Sequence, residues 1–188
     1  MALTKVIGSG LGAIPAISGA NLTNLDSADL TGALPAISGA ALTGFTDAQM
    51  PAGSVVQVIY ASSTTEASSS STTYIDTGLT AAITPSASSS KILIIYSVQQ
   101  FMTNAQGSGH LKVFRGSTDL ATHGYGAYAG SSTIMSTSSY QHLDSPSTTS
   151  ATTYKIQFNR INAGNAICQY DDSNGEGVST IILMEIAG

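Results

Sequence analysis

Charge is scarce in this chain. Of 188 residues only 9% are charged, six basic and eleven acidic, where an ordinary soluble domain has roughly a quarter. The net charge of −5 excludes an electrostatic grip on phosphate backbones, so nucleic acid is not an expected partner. Cysteine is nearly absent too. A single residue, Cys168, excludes an internal disulfide framework and any site built from several thiolates. Long apolar runs are missing: Ile92–Tyr96 and Ile181–Met184 are far below the ~18–20 residues that span a bilayer, so membrane insertion is not expected. The opening MALTKVIGSGLGAIPAISG is broken by glycine and proline before any signal-like apolar core forms. The expectation is a chain made in the cytoplasm without an export signal.

What the chain does have is hydroxyl. Serine and threonine supply much of its polarity, alongside 42% hydrophobic residues. That apolar content argues against disorder, which needs low hydrophobicity or high net charge. Threonine is favoured in strands by its β-branch, so the composition suits a β-rich fold.

The N-terminal quarter repeats. Residues Gly12 to Leu25, GAIPAISGANLTNL, recur twenty residues later as Gly32 to Phe45, GALPAISGAALTGF, a period in the range of stacked or fibrous units. Within them ANLTN, ADLTG and AALTG resemble pentapeptide repeats locally, but their spacings are not multiples of five. Pro15 and Pro35 disfavour a continuous helix. Residues 1–53 therefore read as an extended arm or shaft. Its Leu22, Leu25, Leu30, Ile37, Leu42 and Phe45 are too few to be buried within one chain, and three chains side by side would turn them into a seam. A flexible linker is the alternative reading, less favoured because linkers rarely carry spaced Ile, Leu and Phe.

From Ser54 the texture changes to short β-type runs between Ser, Thr, Gly and Asn clusters, the mark of an all-β sandwich or barrel. Residues 54–188 read as a head domain with strands at Val55–Tyr60, Thr73–Gly78, Leu79–Thr84, Lys91–Phe101, His110–Phe114, Ile134–His142, Thr153–Arg160, Ala166–Tyr170 and Ser179–Ile186. The near-continuous apolar run from Lys91 predicts a central strand buried on both faces, whereas the alternation from Thr153 predicts a half-exposed one. Ser62–Thr73 reads as a loop and Asp171–Gly177 as a turn. An antiparallel two-sheet jelly roll is the expected architecture.

Motifs of catalysis are not found. There is no Gly-x-Ser-x-Gly elbow and no phosphate loop. The glycines from Gly124 imitate a dinucleotide fingerprint without the helix it requires. His110, His123 and His142 follow no zinc spacing, and solvated or hydrogen-bonded imidazole is their default. Asp171, Asp172, Asn174 and Glu176 match a calcium loop only in fragments, so a structural turn is preferred. Cys168 sits in an apolar alternation without an activating cation and reads as a small core residue. Neither a metal nor a cofactor is expected. The stretch His123 to Gly130, HGYGAYAG, is the best binding candidate: His123, Tyr125 and Tyr128 on a glycine-rich segment offer flat amphipathic contact for a saccharide or protein. Core packing of both tyrosines is the competing reading.

Three passages carry a resemblance: TYIDTGLTAAITPSASSSKILI from Thr73, LDSPSTTSATTYKIQ from Leu143, and STIILMEI from Ser179. Together they resemble a β-sandwich domain recurrent in tail-fibre and other virion proteins of aquatic tailed bacteriophages. The repeats PAISGANLT resemble short fibre-shaft repeats of the same phages. The resemblance implies a homotrimer with shaft and globular head on the virion surface, docked to other virion proteins through the N-terminal arm and contacting a host surface glycan or protein. It carries no catalytic residues, so no enzymatic activity is expected. Tail fibre, capsid fibre, capsid decoration protein and glycan-binding receptor module all remain open under it.

Overall fold

The computed structural model describes residues 50–103, 108–128, 133–171, 173 and 177–188. The chain divides into two units, Met1–Thr43 and Gly44–Gly188, and every described residue belongs to the second. Among the described residues all regular structure is strand: β1 (Val55–Ser63), β2 (Ala67–Ser69), β3 (Ile75–Ile83), β4 (Lys91–Thr103), β5 (Ser108–Arg115), β6 (Thr118–Tyr128), β7 (Ile134–Asp144), β8 (Thr152–Phe158), β9 (Asn165–Cys168) and β10 (Ser179–Ile186). No helix there is long and apolar enough to cross a membrane.

All pairings are antiparallel. One sheet runs β1-β10-β4-β7, with the short β9 and β2 continuing beside the second half of β4. The other runs β3-β8-β5-β6. With the short β2 and β9 set aside, the strand orders of the two sheets are those of the eight-stranded jelly-roll sandwich that the sequence suggests. The chain closes on itself at one end, where Gly53 N donates to Ala187 O at 2.8 Å and Ala187 N to Ser54 O at 2.9 Å.

Period-two alternation builds the core. Along β4, Ile92, Ile94, Tyr96, Val98 and Met102 are fully buried; from the opposite sheet Leu79, Ile83, Leu111, Val113, Ile156 and Phe158 meet them. Strand β8 alternates as expected. Strand β4 is central but not buried on both faces: Leu93, Ile95 and Ser97 are half-exposed on its outer side, while further along Gln99 is buried and Phe101 stacks on Tyr170.

Three other expectations need correction. The two strands expected over Thr73–Thr84 are one strand, β3, whose register against β8 slips between Asp76 and Thr80. Gly78 takes φ +79° there, a conformation glycine adopts without steric cost. Thr77 closes the gap in the ladder, its Oγ1 donating to Ile156 O at 2.9 Å and accepting from Leu79 N at 3.1 Å. The expected loop Ser62–Thr73 contains β2, paired with β9. Finally, Thr118–Tyr128, for which no strand was expected, is the long edge strand β6.

Candidate functional site

Edge strands β6 and β7 belong to opposite sheets and pack against each other along one side of the sandwich. A cleft of about 480 Å³ lies at the β7 edge, lined by His123 and Tyr140 and by Ile95, Ser139 and Gln141, which face outward from the β1-β10-β4-β7 sheet. Its aromatic wall follows from register. Tyr96 on β4 pairs directly with Tyr140 on β7, so both rings leave the sheet on the same side. On β6, His123 pairs with Leu111 after a bulge and turns inward with it. The imidazole stacks on the Tyr140 ring, centroids 4.5 Å apart and planes 5° from parallel. Its Nδ1 is hydrogen-bonded to the Tyr96 hydroxyl behind it. Tyr140 Oη donates to Gly124 O at 2.7 Å, tying the two edges together.

Burial sets the electrostatics. It pushes the Tyr96 phenol well above its ordinary range, with Tyr140 adding to the effect. Burial also holds the His123 imidazole below its ordinary value, and nearby His142 lowers it further. At neutral pH the wall is therefore uncharged, a stacking and hydrogen-bonding surface backed by a locked histidine. Ser139 and Gln141 add neutral polar groups at the lip. Such a set suits neutral polyhydroxylated or amide ligands.

Of the residues singled out in the sequence, His123 lies at this cleft, half-buried rather than freely exposed. The backbone of residues 123–128 is strand, not a surface loop. The side chains of Tyr125 and Tyr128 lie outside the described residues, as do Leu22, Leu25, Leu30, Ile37, Leu42 and Phe45. Sequence reading missed Tyr96 and Tyr140. The two-residue spacing of Tyr140 and His142 in an alternating run was the available signal.

The remaining candidates have structural roles. Cys168 is buried in β9, as expected, and burial drives its thiol pKa up, away from reactivity. Asp171 caps its own turn by accepting from Ser173 N at 2.8 Å, while Asp172, Asn174 and Glu176 lie outside the described residues. No group of three or more metal-ligating side chains occurs among the described residues.

Two buried acids, both in register with Ile92, hold one end of the sandwich. Asp144 accepts from Arg115 Nη1 at 3.0 and 2.9 Å and from Tyr154 Oη at 2.7 Å. Glu185, fully buried, accepts from Ser86 N at 2.7 Å, from the Ser86 hydroxyl and from Gln57 Nε2. Burial alone would raise the Glu185 pKa; these donors outweigh it and hold the carboxyl below its ordinary range.

Fold and cleft define a jelly-roll β-sandwich with a neutral aromatic wall between its edge strands. No protein-family model matches the chain, and neither does any curated protein.

Proposed function

We propose that this chain is a structural virion protein of a tailed bacteriophage, a short homotrimeric tail or capsid fibre whose residues 1–53 dock and trimerise while the jelly-roll head projects and aids host adsorption. The observation that carries the reading is the order of parts: a twenty-residue repeat with spaced Leu and Ile leads directly into an antiparallel sandwich of jelly-roll order. The likeness of three passages to virion β-sandwich domains supports it, and so does the low charge. The role is mechanical and adhesive rather than enzymatic. Quantitative mass spectrometry of purified particles of the encoding phage tests it. The chain is expected as a stoichiometric component, and gold-labelled antibody on tail or capsid then separates a tail fibre from a capsid fibre or decoration protein. Absence from purified particles overturns the reading.

A glycan-binding head is favoured by one specific observation, the His123–Tyr140 stack beside Ser139 and Gln141. On a glycan array, Tyr140→Ala is expected to abolish a signal that depends on stacking. A signal unchanged by that substitution puts any sugar site elsewhere.

A further inference from the structure

Two phenols fix where the protons at the cleft lie. Tyr96 is 1% exposed, and among the described residues the His123 imidazole is the only hydrogen-bond partner of its hydroxyl. A buried O–H must be given an acceptor. Burial keeps that phenol protonated, so it donates to Nδ1, and the neutral imidazole carries its own proton on Nε2. Stacking on Tyr140, centroids 4.5 Å apart, holds the ring in place, so Nε2–H is a donor fixed on the side away from Tyr96. Tyr140 adds no second donor, because its proton goes to Gly124 O at 2.7 Å. Ser139 gives its proton to Ser97 Oγ at 2.9 Å and is left as an acceptor. With His123 neutral, the residues lining the cleft include no charged side chain.

We propose that the cleft reads an acetamido sugar, with His123 Nε2–H donating to the acetamido carbonyl. The inference rests on the glycan-binding reading above and names the group that such a site selects. A carbonyl oxygen accepts without a proton of its own to place, whereas a sugar hydroxyl in the same position must still find an acceptor for its O–H. The amide N–H has an acceptor available in Ser139 Oγ, and the methyl has apolar surface in Ile95 and the Tyr140 ring. An amino sugar is disfavoured on two grounds. As an ammonium it cannot accept from Nε2–H, and no carboxylate lines the cleft to pair with it. A carboxylated sugar accepts from Nε2–H but loses hydration with no cation beside it. Charge and donor pattern together leave the neutral amide. Tyr96 is then a positioning residue, acting through His123 by fixing which imidazole nitrogen bears the proton.

Titration calorimetry of the full-length chain at neutral pH tests this with tri-N-acetylchitotriose, cellotriose and chitotriosamine. These trimers differ only in the substituent beside the anomeric carbon, which is acetamido, hydroxyl or amino. The acetylated trimer is expected to bind at least about tenfold more tightly than cellotriose, as one net hydrogen bond contributes, and chitotriosamine is expected to bind most weakly. His123→Phe keeps an aromatic ring on Tyr140 and removes the donor, so it is expected to erase that preference; Tyr96→Phe, which releases the tautomer, is expected to reduce it. Nitrogen NMR of the histidine rings in the unliganded wild-type chain checks the tautomer without any ligand, the expectation for His123 being a bare Nδ1 and a protonated Nε2. A proton found on Nδ1 overturns the inference. Equal affinity for the acetylated trimer and cellotriose, both lost in Tyr140→Ala, also overturns it and leaves the glycan-binding reading standing. Binding of none of the three trimers overturns it as well: a glycan-array signal that still depends on Tyr140 then keeps the broader reading, and the lack of one removes both.

Discussion

Single side chains in this head divide into those that hold it and those that decorate it, and burial draws the line. Asp144 lies between Arg115 and Tyr154 with its side chain 8% exposed, whereas Asp119 meets Lys112 at a surface where it is 43% exposed. Removing the buried partner strands a guanidinium and a phenol, so Asp144→Ala is expected to cost about 3 kcal/mol. Asp119→Ala is expected to cost less than ~1 kcal/mol, since water already screens that pair. Urea denaturation of the two variants measures the contrast, and equal losses would contradict it. The histidines add a pH dependence. His123 is held below its ordinary pKa by burial and by His142, and His110 by burial and by Lys112. The folded chain therefore keeps both neutral at a pH where the unfolded chain, with imidazoles titrating near ~6.5, takes up protons. Stability is expected to fall as pH drops below about 6.5, and His123→Gln is expected to flatten part of that slope. The carboxylates act in a lower window. Asp76 and Glu185 have lowered pKa values, so their contribution is present above about 4.3 and fades only as pH falls further. A urea midpoint that does not move between about pH 7.5 and 5 would contradict the histidine account.

Elements were legible where one force shaped them. Strand β10 occupies the span expected from its alternation, Ser179–Ile186, and β4 runs only two residues past its expected end. The misses have physical causes. Gly78 looked like a break between two strands because glycine usually ends a run; here its positive φ carries one strand through a bulge while Thr77 supplies the missing ladder bonds. Strand β6 was hidden because Gly124, Gly126 and the mixed run from Thr118 lack clean alternation, and pairing with β5 overrides that weak propensity. The three-residue β2 is specified by its partner β9 rather than by its serines. A prediction follows for the bulge. Gly78→Ala puts a side chain into a left-handed conformation and is expected to cost about 1–2 kcal/mol. Gly124→Ala meets open space and is expected to be nearly neutral. Thermal unfolding compares them; a harmless Gly78→Ala would mean that the bulge does not need its glycine.

At the scale of the whole molecule, the fold class was readable and the lopsidedness was not. Regular β-type runs between hydroxyl-rich turns announced an antiparallel sandwich, and jelly-roll strand order is what the paired strands show. The cleft was only half legible: His123 stood out in the sequence, but Tyr96 and Tyr140 join it through register between strands far apart in the chain. The apolar run in β4 was read as burial on both faces. Its outward residues instead join a four-strand apolar surface that a list of single-strand patterns does not reveal. The repetitive arm is proposed to trimerise, and the account stands on the oligomer that would result. Light scattering coupled to size exclusion on the full-length chain measures it directly. Three chains of 19.1 kDa give about 57 kDa, the mass the account predicts for a closed threefold assembly; a mass of 19.1 kDa at every concentration would contradict it.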